Sequence, residues 1–325
     1  MARTKSNPDK STGKKSKAKT AQPPAETAGP TSVAGWLSSF LYQPAVLVLV
    51  AIAATATFVI PIARDSLPDL SQQDQYQLTQ DDIHLHPVPT RWVPPDLVNQ
   101  VLTQANLQGR LNSLDTGLSK TLAEAFRLHP WVAEVQQVRK SLAGGIDVSL
   151  KYREPVAMVH VSVGMYPIDS TGVLLPPADF SVSDTDRFLK VENIRSTPGG
   201  PAGTSWGDSS VTGAAQLAAG LADVWEKLQL EAILAPTHIP VDTQPDDLLF
   251  SLRTRGGSHI VWGRIPDSKY PGELTTDQKV ARLEKYLADF GSYAEPSGPY
   301  EIDIRHWQEI SRRPLDAALQ TTSRK

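Results

Sequence analysis

The sequence predicts an α+β protein in which a single transmembrane helix precedes two modest exported domains, and three observations lead there. First, Ala45–Ala63 is an apolar run without a charge; at about 1.5 Å of helical rise per residue it spans about 28 Å, close to the hydrocarbon thickness of a bilayer. Second, Arg3, Lys5, Lys10, Lys14, Lys15, Lys17 and Lys19 precede the run against only Asp9 and Glu26, a bias that holds the N-terminal side in the cytoplasm and exports the rest. Third, the remaining stretch, about 260 residues, passes repeatedly between strand-like alternation and helical spacing and is long enough for two compact units.

Two other readings of the apolar run compete. Ala54-Thr55-Ala56 resembles a signal-peptide processing site, but the region before the run is far longer than that of a usual signal, and the run continues past the site. A buried core helix would carry a polar face, which this run lacks. Trp36, Phe40 and Tyr42 sit where aromatic rings favour the membrane interface. The expected organisation is a disordered basic tail over 1–35, an anchor region over 36–64, a polar spacer over 65–82, a first domain over 83–160, a second over 161–310 and a C-terminal tail over 311–325. The tail at the start has too few large apolar residues to offset the entropy of ordering. The formal net charge of −3 leaves no strongly basic exported face for nucleic acid. With no cysteine, disulfides, thiolate zinc sites and cysteine nucleophiles are excluded.

In the first domain, Ile83 and Leu85 alternate with His84 and His86 as a short strand, made an edge by Pro87 and Pro89. Pro94-Pro95 opens a helix with Leu97, Val98, Val101, Leu102 and Ala105 on one face. A second helix carries Leu114, Leu118, Leu122, Ala125 and Phe126 and ends near His129, because Pro130 disfavours helical geometry before it. Val132, Val135 and Val138 fit a bulged strand or a helical turn, and the strand is preferred. Ile146, Val148, Leu150 and Tyr152 alternate cleanly with Asp147, Ser149, Lys151 and Arg153, and after Pro155 the alternation resumes at Ala157, Val159, Val161 and Val163. The same sheet is expected to run on into the second domain. There Asp169-Ser170-Thr171-Gly172 marks a turn, and Thr197–Gly213 reads as a flexible Gly/Pro/Ser/Thr loop. A helix bearing Leu217, Ala218, Leu221, Trp225 and Leu228 follows. Strands are expected around Ala232–Val241, Leu248–Leu252 and Ile260–Trp262, then a helix with Val280, Leu283, Leu287 and Phe290, and a last strand at Tyr300–Arg305.

Several strings in this order resemble the bacterial cell-division family FtsQ, also called DivIB: RLHPWVAEV at 127–135, KYREPVAMV at 151–159, IDSTGVLLP at 168–176, VWGR at 261–264, DQKVARLEKYL at 277–287 and EIDIR at 301–305. Each string also has a plain structural explanation. Pro130-Trp131 stops a helix and covers a sheet, Glu154-Pro155 protects an edge, Asp169 and Gly172 make a turn, and Lys279 is a solvated helix residue. The resemblance implies a POTRA domain (βααββ) followed by a mixed β-rich FtsQ-type domain. It also implies no enzymatic activity and a scaffold role at the division septum of the plasma membrane, with single-pass partners similar to FtsB and FtsL. Two departures from the family stand out: the loop after Arg195 is longer, and Arg312-Arg313-Pro314 follows closely where the last edge strand belongs.

No phosphate loop, nucleophile elbow or His-Glu-x-x-His helix is present. His84 and His86 share a strand face and could ligate a metal, but solvated edge histidines are the plainer expectation. No cofactor and no small-molecule substrate are expected. A membrane-anchored hydrolase and a POTRA-type chaperone for envelope proteins are the alternatives to the scaffold. The candidate partner-binding segment is the edge strand around Tyr300–Ile310. Ile302 and Ile304 should face the core, with Arg305 on the opposite side, Trp307 as an aromatic anchor and Ile310 beyond it. A covered terminal strand serving only its own domain is the competing expectation for that segment.

Overall fold

The computed structural model describes residues 44–65, 73, 76–109, 111–141, 144–238 and 243–315. The basic tail over 1–35, the start of the anchor region, most of the spacer and residues 316–325 lie outside the described residues. The chain divides into two compact units, Met1–Asp69 and Leu70–Lys325. In the first, helix α1 covers Pro44–Asp65, and its stretch Pro44–Ile62 is long and apolar enough to cross a membrane. The hydroxyls of Thr55 and Thr57 donate to the carbonyls of Ala51 and Ala53 at 2.7 and 2.6 Å, so both are satisfied inside the helix.

The second unit is mixed α+β with two hydrophobic cores. The first core belongs to a three-stranded sheet in the order β2-β5-β4. A short pair, β1 (Gln77–Leu78) with β3 (Leu111–Asn112), lies beside it. Strand β2 (Ile83–His86) runs parallel to β5 (Ile146–Tyr152), and β4 (Val132–Lys140) antiparallel to it. Two register shifts in β4, after Val132 and after Val135, explain the three-residue valine spacing as a bulged strand. Helices α2 (Leu97–Gln104) and α3 (Leu118–Arg127) bury Leu97, Val101, Leu102, Leu118, Leu122 and Phe126 against this sheet. Leu114 lies before α3 and is exposed, because Asn112 and Asp115 accept the backbone N–H groups of Leu114 and Gly117 at 2.8 Å each and turn the chain there. Trp131 is fully buried in this core, and its indole N–H donates to Asp179 at 2.7 Å.

The second core underlies an eight-stranded sheet in the order β13-β12-β11-β10-β9-β8-β6-β7. Its strands are β6 (Pro155–Val161), β7 (Gly164–Asp169), β8 (Leu189–Glu192), β9 (Leu230–Leu234), β10 (Phe250–Thr254), β11 (His259–Gly263), β12 (Tyr300–Asp303) and β13 (Ser311–Pro314). Helices α4 (Ser209–Leu221) and α5 (Thr276–Phe290) supply Val211, Ala214, Leu217, Leu221, Leu283 and Tyr286 to the same core as Val159, Val191, Ile233, Leu252, Ile260 and Ile302. Phe250 seats against α4 at Gly213, where a Cβ would come within 2.6 Å of its ring. Away from this core, Arg253 pairs with Glu192 and, at 3.2 Å, with Glu231, and Arg313 pairs with Glu301 at 2.7 Å. These cross-strand pairs neutralise one another's charge on the sheet face away from the core, where Arg253 and Glu192 are only 15% and 21% exposed.

Several expectations are corrected. The two sheets are separate rather than continuous: the chain leaves the small sheet after Tyr152 and enters the large one at Pro155, which has no N–H with which to prolong the ladder to β4. The change of sheet therefore falls at Arg153-Glu154 and not near 160. Val163 is exposed at the β6–β7 turn. The expected flexible loop is folded: Trp206 is buried, its indole N–H donates to Ser196 Oγ at 3.0 Å, Ser205 bridges to Val173, and Asp208 caps α4. Lys279 is not solvated but buried, paired with Glu273 and 4.8 Å from the Trp262 ring centroid. Burial pulls its ammonium below the usual lysine range, against the Glu273 carboxylate that favours the charge. Finally, Ser311–Pro314 is a strand, not a tail.

Replacing Trp131 by Ala should lower unfolding stability by about 3 kcal/mol, the cost of emptying a large core site. Chemical denaturation of the purified protein measures it, and an unchanged midpoint would show that the ring does not carry the first core.

Candidate partner-binding edge

Strand β13 closes one side of the large sheet, so the outer edge expected at Tyr300–Ile310 is displaced by one strand. The reason is that β12 lies between β11 and β13, parallel to the first and antiparallel to the second. Ile302 and Ile304 do face the core, as the alternation predicts, and both are fully buried. They cannot touch a partner. Arg305 folds back on Asp303, donating from Nε at 3.0 Å and from Nη2 at 2.7 Å. Burial alone would raise the pKa of Asp303, but its bonds from Arg305 outweigh that and hold the carboxyl below its usual range. Trp307 is 75% exposed and Ile310 is half-buried against the second core. The structure thus brings Arg305, Trp307 and Ile310 to the turn between β12 and β13, and withdraws Ile302 and Ile304.

Among the described residues, no strand pairs with the outer side of β13. Leu315 N–H donates to Pro299 O at 2.9 Å, and the register sets Glu301 opposite Arg313 and Asp303 opposite Ser311. Hydrogen-bonded and non-bonded pairs alternate along an antiparallel ladder, so the N–H and C=O of Arg312 point away from β12. Beside this edge, a groove of about 430 Å³ has Tyr286, Phe290 and Ile310 in its lining, together with Arg282, Lys285 and Arg312 and the carboxylates of Asp289 and Glu309; Lys285 and Asp289 pair at 2.8 Å. The Arg312 guanidinium lies 4.6 Å from the Phe290 ring centroid and 5.2 Å from that of Tyr300. A backbone edge that no described strand covers, beside a groove with apolar residues and a rim of mixed charge, can receive an extended strand whose side chains alternate between groove and solvent.

Four groove residues of α5 were missed because its pattern is dominated by core positions, and the fifth, Phe290, expected on the core-facing stripe, is instead 43% exposed and lines the groove. Arg282, Lys285, Tyr286, Asp289 and Phe290 follow i, i+3, i+4, i+7 and i+8 spacing, and that second stripe is the signal that could have found them. Arg282 also holds the turn. It donates to Ile304 O at 3.0 Å and to the carbonyls of His306 and Trp307, which fixes the approach to β13. His84 and His86 lie exposed on β2, with His86 3.7 Å from Asp147. Among the described residues, no group of three or more metal-ligating side chains is placed to hold an ion.

Arg282→Ala should free three carbonyls and cost about 1–3 kcal/mol locally. Hydrogen exchange should then quicken at residues 304–314 and stay unchanged in α4; slow exchange retained at 304–314 would contradict the clamp.

No protein-family model matches this chain, and no curated protein matches it.

Proposed function

We propose that this protein is a non-enzymatic scaffold of the bacterial division apparatus, of the FtsQ/DivIB kind. In this proposal α1 anchors it once in the plasma (inner) membrane, with the lysine-rich start in the cytoplasm and the two-core unit outside. The first core corresponds to the POTRA domain of the resembled family and the second to its β domain. The observation that carries the proposal is the open β13 edge beside the α5 groove, because strand addition needs unpaired backbone groups and a neighbouring pocket for side chains. The partners are other single-pass division proteins, similar to FtsB and FtsL, that offer an extended segment. Arg312 at the edge favours an acidic residue opposite it, whereas Lys285 is already paired with Asp289 at 2.8 Å.

Pro at position 312 would remove an outward N–H while sparing the ladder to β12. Arg312→Pro should therefore weaken binding of the single-pass partner at least tenfold, about 1.4 kcal/mol, and Arg312→Ala should weaken it less. Equal affinity of the proline variant and the parent would remove the edge from the proposal. A fluorescent fusion should gather at the septum in dividing cells, and an even membrane distribution through division would remove the division role.

A further inference from the structure

We propose that residues 174–188 act as a strap that completes the first core, so that the three-stranded sheet and its helices hold their packing only with a segment lent by the second half of the chain. The strap leaves the large sheet after β7 and returns to it at β8. At its start, Leu174 N–H donates to Thr204 O at 3.0 Å and Leu175 N–H to Pro167 O at 2.9 Å. At its end it runs into Leu189, paired with Ala157 of β6. Between these anchors it crosses to the other core. Leu175 is fully buried among first-core residues, and Phe180 packs against them.

The contacts centre on one ring. Phe180 stacks 5.3 Å from Trp92 and 6.0 Å from Trp131, and Phe188 lies 5.3 Å from Trp92. Asp179, one residue before Phe180, accepts the buried Trp131 indole N–H. Arg91 covers the outer face of Trp92 at 4.5 Å and reaches Asp184 at 3.8 Å. The strap is preshaped: Ser181 and Asp184 form a capping box in which Ser181 N–H donates to the Asp184 carboxylate at 3.1 Å, and the Ser181 hydroxyl donates to the same carboxylate at 2.6 Å. The strap adds buried Leu175 and the partly buried ring of Phe180 to a core whose other buried members lie between Ile83 and Tyr152, and stacked aromatic rings contribute beyond their buried area. The coupling also follows from the absence of a shared sheet: side chains, not ladder bonds, join the two cores.

Hydrogen exchange on the full chain in detergent tests this with Phe180→Ala, with Val182→Ala as control because Val182 is 87% exposed on the same strap. Phe180→Ala should reduce protection at least tenfold in α2, α3 and β4 and leave α4 and α5 unchanged, while Val182→Ala alters neither. If Phe180→Ala unfolds the whole unit, Phe180→Leu keeps bulk without stacking and should give the same selective pattern at smaller amplitude. Loss confined to 174–188, or uniform loss over both cores in both Phe180 variants, would overturn the proposal.

Discussion

The architecture depends on how the chain changes sheets at Arg153–Pro155. Proline ends the small ladder, and Arg153, only 16% exposed, turns to Asp169, 6% exposed, at 2.6 Å. Asp169 also accepts from Thr171 N–H at 2.8 Å, Thr171 Oγ at 2.7 Å and Val173 N–H at 3.0 Å. The carboxylate therefore ties Arg153, the residue that follows β5, to the turn after β7 in the other sheet. A buried pair of this kind adds little net stability against an apolar alternative, but removing one partner leaves an uncompensated charge and costs about 3–5 kcal/mol. Its role is geometric, since it sets where the second sheet begins and hence where the strap and the folded 197–207 loop emerge. That loop returns to the same junction, with Gly203 packed against Pro130 so closely that a Cβ would lie 3.0 Å from it.

Much of the fold was legible because burial imposes periodicity. The alternation of β5, the valine spacing of bulged β4 and the Val280, Leu283 and Leu287 stripe of α5 each report one face packed on a core. What was not legible lacked such a face. Strand β13 reads Ser-Arg-Arg-Pro and is exposed along its whole length, so no hydrophobic pattern marks it, and only its pairing with β12 makes it a strand. The loop around Trp206 is rich in Gly and Pro, which reads as flexible. Its order comes from the buried Trp206 indole and from backbone bonds to residues 172–174, which composition does not report. Lys279 looked solvated because helical spacing cannot reveal a carboxylate, Glu273, arriving from the preceding loop.

The candidate edge was half legible for the same reason. Its neighbour β12 carries the alternation, so Ile302 and Ile304 were correctly placed inward, yet the free edge lies one strand further out. The sequence of β13 also explains how such an edge stays safe: it is short, carries two arginines and ends in proline, features that discourage indiscriminate pairing. A partner must therefore match the groove as well as the backbone. Arg312 serves both, with its main chain outward and its guanidinium over Phe290 and Tyr300.

The central claim is that a partner strand adds to β13, and the exchange rate of the Arg312 amide tests it most directly. In the free protein that N–H faces away from β12 and should exchange rapidly. With a saturating single-pass division partner it should become protected at least a hundredfold, while the Arg313 amide, already paired to β12, changes little. Partner binding at full occupancy with the Arg312 amide still exchanging at its free rate would contradict the account.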